Sequence, residues 1–589
     1  MLFNILKKNK AFTLIETLVG VAVFLVIATA TYQAYISLFT FISLNQYKVL
    51  ALNLANEQFE IIRNLSYLNV GIPSGIPKGL IPHIQTINRG GISFTVTTTI
   101  RNIDLPNDGT IGGNPNDISP ADNKFVNIEI DCSTCKNFKP LNISTTVAPK
   151  NLETASSNGA LLIKVFDANG VPVSNASVHI ANNLVSPSII IDDVTDNDGL
   201  LQIVDVPPGV ESYEITVTKS GYSTDKTYAT GAIGNPNPTK AHATVLIQQL
   251  TQISFSIDKL SSISFTSVTP SCVAINNFDF SLTGSRLIGE NVPKYFSNKV
   301  TDGAGKLTLN NMEWDYYSVA GIDTVNDIVG VNPLNSINLN PDSNQNVLII
   351  TEAKNPKSLL VTIKDGSTQL PITDATVTIS KDDYSSIKIT GRGFMNQTDW
   401  SGSLYTYNDG NIETENPSGD LQLLNVFGNY NSNGILESTT IDTGSISNFY
   451  NFVWSPTDQP VLAGINSVKF QIATNEIINA TTTWEYRGPD GATTTYYTST
   501  NSPIDSIHNG DRYLRYKLFL HTEDSTVTPN ISDVSFTVTS SCTPPGQVIF
   551  SGLSSGTYHI NVQKTGYNTV EIDKDISSDW QEQEIILSP

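Results

Sequence analysis

A chain of 589 residues has room for about four domains at roughly 150 residues each. Charged side chains make up only 15%, and 34 Lys+Arg stand against 55 Asp+Glu, a formal charge of −21. That balance argues against a nucleic-acid surface, which needs Lys and Arg in excess on some face. Four cysteines and six histidines leave little material for a disulfide scaffold, a metal centre or a general base, so an enzyme is not expected.

Lys7, Lys8 and Lys10 precede an apolar run, and residues 17–47, 31 in all, hold no charged side chain. A bilayer needs only ~20. Positive charge on the leading side predicts a cytoplasmic leader and an exported bulk. The run is too long for a secretory signal, and no cleavage site follows it. Glu16 stands alone inside it, where an unpaired carboxylate costs several kcal/mol, so it is a functional candidate. Between 12 and 67 there is no proline and only one glycine, Gly20. Leu50, Leu54, Ile61, Ile62 and Leu65 recur near helical spacing. The pattern predicts a helix of about 80 Å, stopped by Gly71 and Pro73.

The string Lys10-Ala11-Phe12-Thr13-Leu14-Ile15-Glu16-Thr17-Leu18-Val19 resembles the class III signal of type IV prepilins and type II secretion pseudopilins. The resemblance implies that prepilin peptidase cuts between Ala11 and Phe12 and that Phe12 is then N-methylated. It makes Glu16 the fifth mature residue, pairing with the amine of a neighbouring subunit during assembly. The family usually has Gly before the cut; Ala11 is small enough for the same pocket. Residues 1–11 are then the leader, and 12–67 an anchor that becomes filament core. Losing three leader lysines takes the formal charge from −21 to −24.

Residues 68–149 read as a small β head, with strands over 92–103, 125–131 and 141–147. The loop between the first two carries Asp104, Asp108, Asp117 and Asp122. Asp108, Asp117 and Asp122 are candidate Ca²⁺ ligands. The spacing does not match an EF-hand, and the Asp-Gly and Asn-Pro pairs are also ordinary turn chemistry. Cys132 and Cys135 follow a strand, without the second pair that zinc would need or the βαβ context of a redox site. They are a local disulfide or two thiols. The pairing of Cys272 and Cys542 is not legible.

An internal repeat follows. Alternating apolar runs split by Gly and Pro turns argue antiparallel strands, marked by Thr195-Asp196-x-x-Gly199, Thr301-Asp302-x-x-Gly305 and Thr398-Asp399-x-x-Gly402. The copies span 157–250, 251–352, and 356–404 plus 547–589. They resemble carboxypeptidase-regulatory-like and Cna B-type immunoglobulin-like sandwiches. Gly199 to Gly209 is ten residues, whereas Gly402 to Gly556 is 154, so the third copy is split by an insertion, expected at an exposed loop tip. The insert, 415–541, resembles a jelly-roll sandwich of the laminin-G or discoidin kind. Trp484, Tyr486, Tyr496 and Tyr497 are candidates for stacking on sugars, with core packing as the alternative. Arg512 and Arg515 are expected to pair with carboxylates. Lys164 and Lys364 lie on first strands, but the last strands offer no Asn for an isopeptide cross-link.

The expected fold class is α+β: a long pilin helix with a β head, then tandem all-β sandwiches with a jelly-roll insert. The expected function is a large minor type IV pilin at or near the pilus tip, presenting its distal sandwiches for adhesion. It would be single-pass in the cytoplasmic membrane before assembly and extracellular afterwards. Its partners would be other pilins, prepilin peptidase, the assembly platform in the membrane, and a surface glycan or host-cell ligand, with no nucleic acid. No cofactor other than Ca²⁺ is expected. The alternatives are a pseudopilin of a type II secretion or competence system, and a surface-anchored glycan-active enzyme using paired carboxylates.

Overall fold

The computed structural model describes residues 14–150 and 155–589. Among the described residues one long α-helix, Leu14–Arg63, is followed by β-strands arranged in sandwiches, the α+β class expected. The chain forms two compact units, residues 1–259 with 288–292, and residues 260–287 with 293–589.

In the first unit the 50-residue helix is about 75 Å long at 1.5 Å per residue. Its first half is bare: Leu18, Phe24, Ile27, Tyr35, Phe39 and Phe41 are all exposed. In its second half Ala51, Leu54, Ala55, Phe59 and Ile62 are buried against the sheet Ile84–Arg89, Ile92–Ile103, Asn123–Asp131, Leu141–Val147. Ile61, expected in the core, is instead exposed. The helix stops short of Gly71 and Pro73. The Asn64 side chain donates to the Glu60 carbonyl at 2.8 Å, and the chain turns so that Val70 enters the head core.

Each sandwich repeats one plan. Its first strand lies between an antiparallel neighbour and its own last strand, which runs parallel to it. Gly159–Phe166 pairs with Leu250–Ser256, Ser261–Val268 with Asn344–Ala353, and Ser358–Asp365 with Trp580–Leu587. The final strand of the first copy therefore runs past residue 250 to 256.

The turn that marks each copy is held by a buried threonine. In the first, Ala176 N–H donates to Thr195 Oγ1 at 2.9 Å, Thr195 N–H to the Ala176 carbonyl, and Val165 N–H to the Gly199 carbonyl. In the second, Phe278 N–H donates to Thr301 Oγ1 at 2.9 Å and Ser267 N–H to the Gly305 carbonyl. In the third, the residue in this position is Thr390, not Thr398. Ala375 N–H donates to Thr390 Oγ1 at 3.0 Å, and Ile363 N–H to the Gly546 carbonyl at 2.7 Å. Threonine and glycine are four residues apart in the first two copies and 156 apart in the third. The insertion has opened this one turn. Thr398-Asp399-x-x-Gly402 belongs to the inserted sandwich: Gly393–Gln397 pairs with Asp533–Thr539, and Trp400 is fully buried in the insert's core, donating to Tyr516 Oη at 2.6 Å.

In the insert, the strand Ile441–Ser455 bends and changes partners. Its first part pairs with Asp511–His521 and its second with Asp533–Thr539. A strand that switches sheets in this way turns the corner of a sandwich. Phe449, Phe452, Trp454, Phe470, Tyr497 and Tyr516 fill the space between.

Candidate functional site

Four groups of residues carry chemistry beyond packing. At the N-terminus, Ala11 and Phe12 lie outside the described residues, and Glu16 lies in the first turn of the helix. Downstream of it residues 17–39 are all exposed, and large exposed apolar side chains recur along the helix as far as Val49.

In the head, the loop 104–122 gathers Asp108, Asp117 and Asp122, with one carboxylate oxygen from each within 4.8 Å of the others. Asp122 Oδ2 accepts Leu105 N–H at 2.5 Å, Asp117 Oδ1 accepts Ser119 N–H at 2.7 Å, and Asp104 Oδ2 accepts Ile111 N–H at 2.9 Å. The second oxygen of each of these three carboxyls has no hydrogen-bond partner among the described residues. Burial, then the nearby charges of Asp117, Asp122 and Asp108, push the Asp104 carboxyl up to about 6 against the opposing Ile111 N–H. Asp104 was not singled out as a ligand from the sequence. It joins the group only because the loop doubles back, with Asp117 N–H on the Thr110 carbonyl at 3.1 Å.

Cys132 and Cys135 form a disulfide, Cα atoms 5.3 Å apart, within the head core. Cys272 and Cys542 form another across a separation of 270 residues. Lys364 pairs with Glu584 on the last strand at 2.5 Å.

The aromatic candidates divide. Tyr497 is 0% exposed and packs 5.3 Å from Phe452, so it is a core residue and is not available for stacking. Its neighbour Tyr496 is 38% exposed, edge-on to Phe519, and the backbone of Tyr497 makes an isolated bridge with Phe470. Trp484 lines an open depression of about 340 Å³ with Ile478, Asn479, Thr482 and Arg515, and the Arg515 guanidinium sits 4.4 Å over its ring. Tyr486 Oη donates to Glu437 at 3.0 Å, and Lys517 pairs with the same carboxylate at 3.0 Å. Burial and then Glu437 push the Tyr486 phenol up. Arg512 pairs with Asp442 at 2.7 Å. Among the described residues Arg515 meets no carboxylate within ion-pair distance but bonds the hydroxyls of Thr440 and Thr406.

Sequence reasoning missed two features. Lys124, on a strand of the head, is buried and donates to the carbonyls of Tyr67 and Val70, both at 2.7 Å. Burial holds its amine down to about 8. It borders a cavity of about 480 Å³ between the head and the first sandwich, with Tyr67, Pro73, Ile76, Asn158 and Pro187. A lone strand lysine gave no sign of either.

The other is His508. It is buried, its Nδ1 3.0 Å from Thr474 Oγ1 and its Nε2 without a partner among the described residues. Burial outweighs Asp505 and Asp511 and holds it down to about 4, from an ordinary 6.5. The unfolded chain therefore takes up this proton more readily. The stability His508 contributes is complete above pH 6.5 and is lost as pH falls towards 4. The expected loss is up to about 3 kcal/mol. Melting temperatures of wild type and His508→Gln between pH 7 and 4 check it: the variant is expected to show a shallower decline.

Residues 6–32 match the family model described as the prokaryotic N-terminal methylation motif. No curated protein matches the chain. Among solved structures, the Bacillus anthracis TIE protein aligns at 9% identity over 86% of this chain and 73% of its own, with a TM-score of 0.16. A streptococcal ancillary pilin aligns at 10% identity over 73% of this chain and 98% of its own, TM-score 0.14. A minor pilin of Streptococcus agalactiae aligns at 9% identity over 33% and 96%, TM-score 0.16. Scores this low carry no argument for a shared fold or function. The methylation motif and the apolar helix that begins within it fit a membrane-anchored precursor later displayed on a pilus.

Proposed function

We propose that the protein is a large minor type IV pilin, a structural subunit and not an enzyme, which presents its distal sandwiches from or near the pilus tip. The observation that carries this reading is the methylation motif at residues 6–32 joined to a helix whose first half is bare and apolar while its second half is built into a β head. A bare apolar helix is stable in lipid or packed against other such helices, and assembly moves it from one to the other. Prepilin peptidase, the assembly platform and other pilins are then the partners. A head of about 520 residues on every subunit would crowd a helical filament, which favours a rare or terminal position.

The test is the sheared filament fraction. The mature chain is expected to begin at N-methylated Phe12, and Glu16→Ala is expected to reduce its incorporation at least tenfold while the precursor stays in the membrane. A chain retaining Met1 in filaments would overturn the reading. Adhesion rests on the insert, whose outer surface offers Trp484, Tyr486 and Tyr496 to a glycan. Replacing residues 391–545 with the Asp-Asn-Asp of the first copy's turn, together with Cys272→Ser, is expected to leave pili that no longer attach. Unchanged attachment would sink the adhesive role and leave the pilin role standing.

A further inference from the structure

The loop 104–122 is a peg, one of the contacts that seat the head on the first sandwich, beside the Ile190 N–H bond to the Ser74 carbonyl at 2.7 Å and the packing of Ile76 in the sandwich core. Asp122 N–H closes the neck of the peg on the Ile103 carbonyl at 3.1 Å. At its tip Ile111 is buried with Ala160, Val204 and Leu250 of the sandwich. Ser156 N–H donates to the Ile118 carbonyl at 2.9 Å, and the Gln202 side chain reaches Asp104 Oδ2 at 3.4 Å. Ordering the peg therefore orders this side of the joint.

At the root of the peg stand the carboxylates of Asp108, Asp117 and Asp122, with Asp104 beside them. Asp117 and Asp122 are only 7% and 6% exposed, yet Asp117 Oδ2 and Asp122 Oδ1 accept no hydrogen bond from the described residues. Buried anions without partners are costly, and like charges this close raise the cost. The cations of the flanking strands are committed elsewhere: Arg101 to Asp193 at 3.0 Å, and Lys124 to two backbone carbonyls. The backbone donors reach only one oxygen of each carboxyl.

We infer that Asp108, Asp117 and Asp122, with Asp104 beside them, bind a calcium ion that locks the head onto the first sandwich. A hard dication takes oxygen ligands and neutralises the crowded charge in one step. Calcium suits carboxylates carried on an irregular loop, because it accepts six to eight oxygens in flexible geometry, whereas magnesium demands a near-ideal octahedron. The inference is independent of the pilin reading and would hold for any exported protein with this joint.

The test uses the full chain in detergent, stripped with EGTA and titrated with CaCl₂ alone, read by calorimetry and by hydrogen exchange. One Ca²⁺ per chain is expected, with exchange slowed at least tenfold at Ile111, Asp117 and, across the joint, Ser156. Asp117→Asn/Asp122→Asn keeps the side-chain shapes and removes the repulsion. It is expected to stay folded without calcium and to lose both the binding and the protection. Absence of stoichiometric binding, or binding that survives the double variant, would overturn the site. Binding without slowed exchange at Ser156 would overturn the lock.

Discussion

Reducing the Cys272–Cys542 bond is expected to add about 90 nm to the extension of the chain when it is pulled from its two ends. The bond joins residues 270 apart, and at 3.3–3.6 Å per residue that segment spans about 90 nm once freed. While the bond holds, the segment, which includes the whole insert, lies outside the line of pull. Extension traces with and without reductant read this directly, and an unchanged length would mean that the two cysteines are not joined. The same bond closes a long loop in the unfolded chain. On the chain-entropy account, a loop of this size is stabilised by about 5 kcal/mol, with strain and residual structure reducing what is realised. Cys272→Ser/Cys542→Ser is therefore expected to lower the melting temperature of residues 260–589 by about 10 °C. A change within 2 °C would show that the folded sandwiches hold this segment together without the bond. In a pilus under tension, the bond passes force applied at the insert's C-terminal root straight to Cys272, past most of the second sandwich and all of the third.

What was legible in the sequence follows the range of the interactions involved. The helix was readable because a run of 31 uncharged residues is a local fact, and the strands because alternation is local too. The end of the helix was not, since Arg63 is the last helical residue for reasons that lie in the head core receiving Val70. Tyr496 and Tyr497 are adjacent and alike in the sequence, and only the packing says which one faces in. Asp104 and the Cys272–Cys542 pair depend on chain closure and carried no local mark. The repeat is the instructive case. A motif search finds Thr-Asp-x-x-Gly at 398–402 because the letters agree there. The third copy itself has kept only the parts with a structural task, Thr390 and Gly546. Its aspartate served a four-residue turn that the insertion abolished, so the letters were lost where the structure was kept.

That reading of the repeat makes two glycines unequal. Gly546 has φ +68, and a Cβ there would meet Pro371 Cβ at 2.6 Å and the Ile363 carbonyl oxygen at 2.9 Å. That oxygen belongs to the residue whose N–H donates to Gly546 itself, so neither partner can withdraw without breaking the joint between the two ends of the split sandwich. Gly402 has φ +61 and nothing within 4 Å. For Gly402→Ala the cost is the left-handed backbone alone, about 1 kcal/mol. For Gly546→Ala the same strain adds to overpacking of typically 1–3 kcal/mol, giving about 3 kcal/mol. Gly199 and Gly305, which hold the same place in the first two copies and crowd the Val165 and Ser267 carbonyl oxygens, are expected to behave like Gly546. Urea unfolding of the four alanine variants checks this. If residues 398–402 were the turn of the third sandwich, Gly402→Ala would be the damaging member of the pair, and Gly546→Ala would be mild.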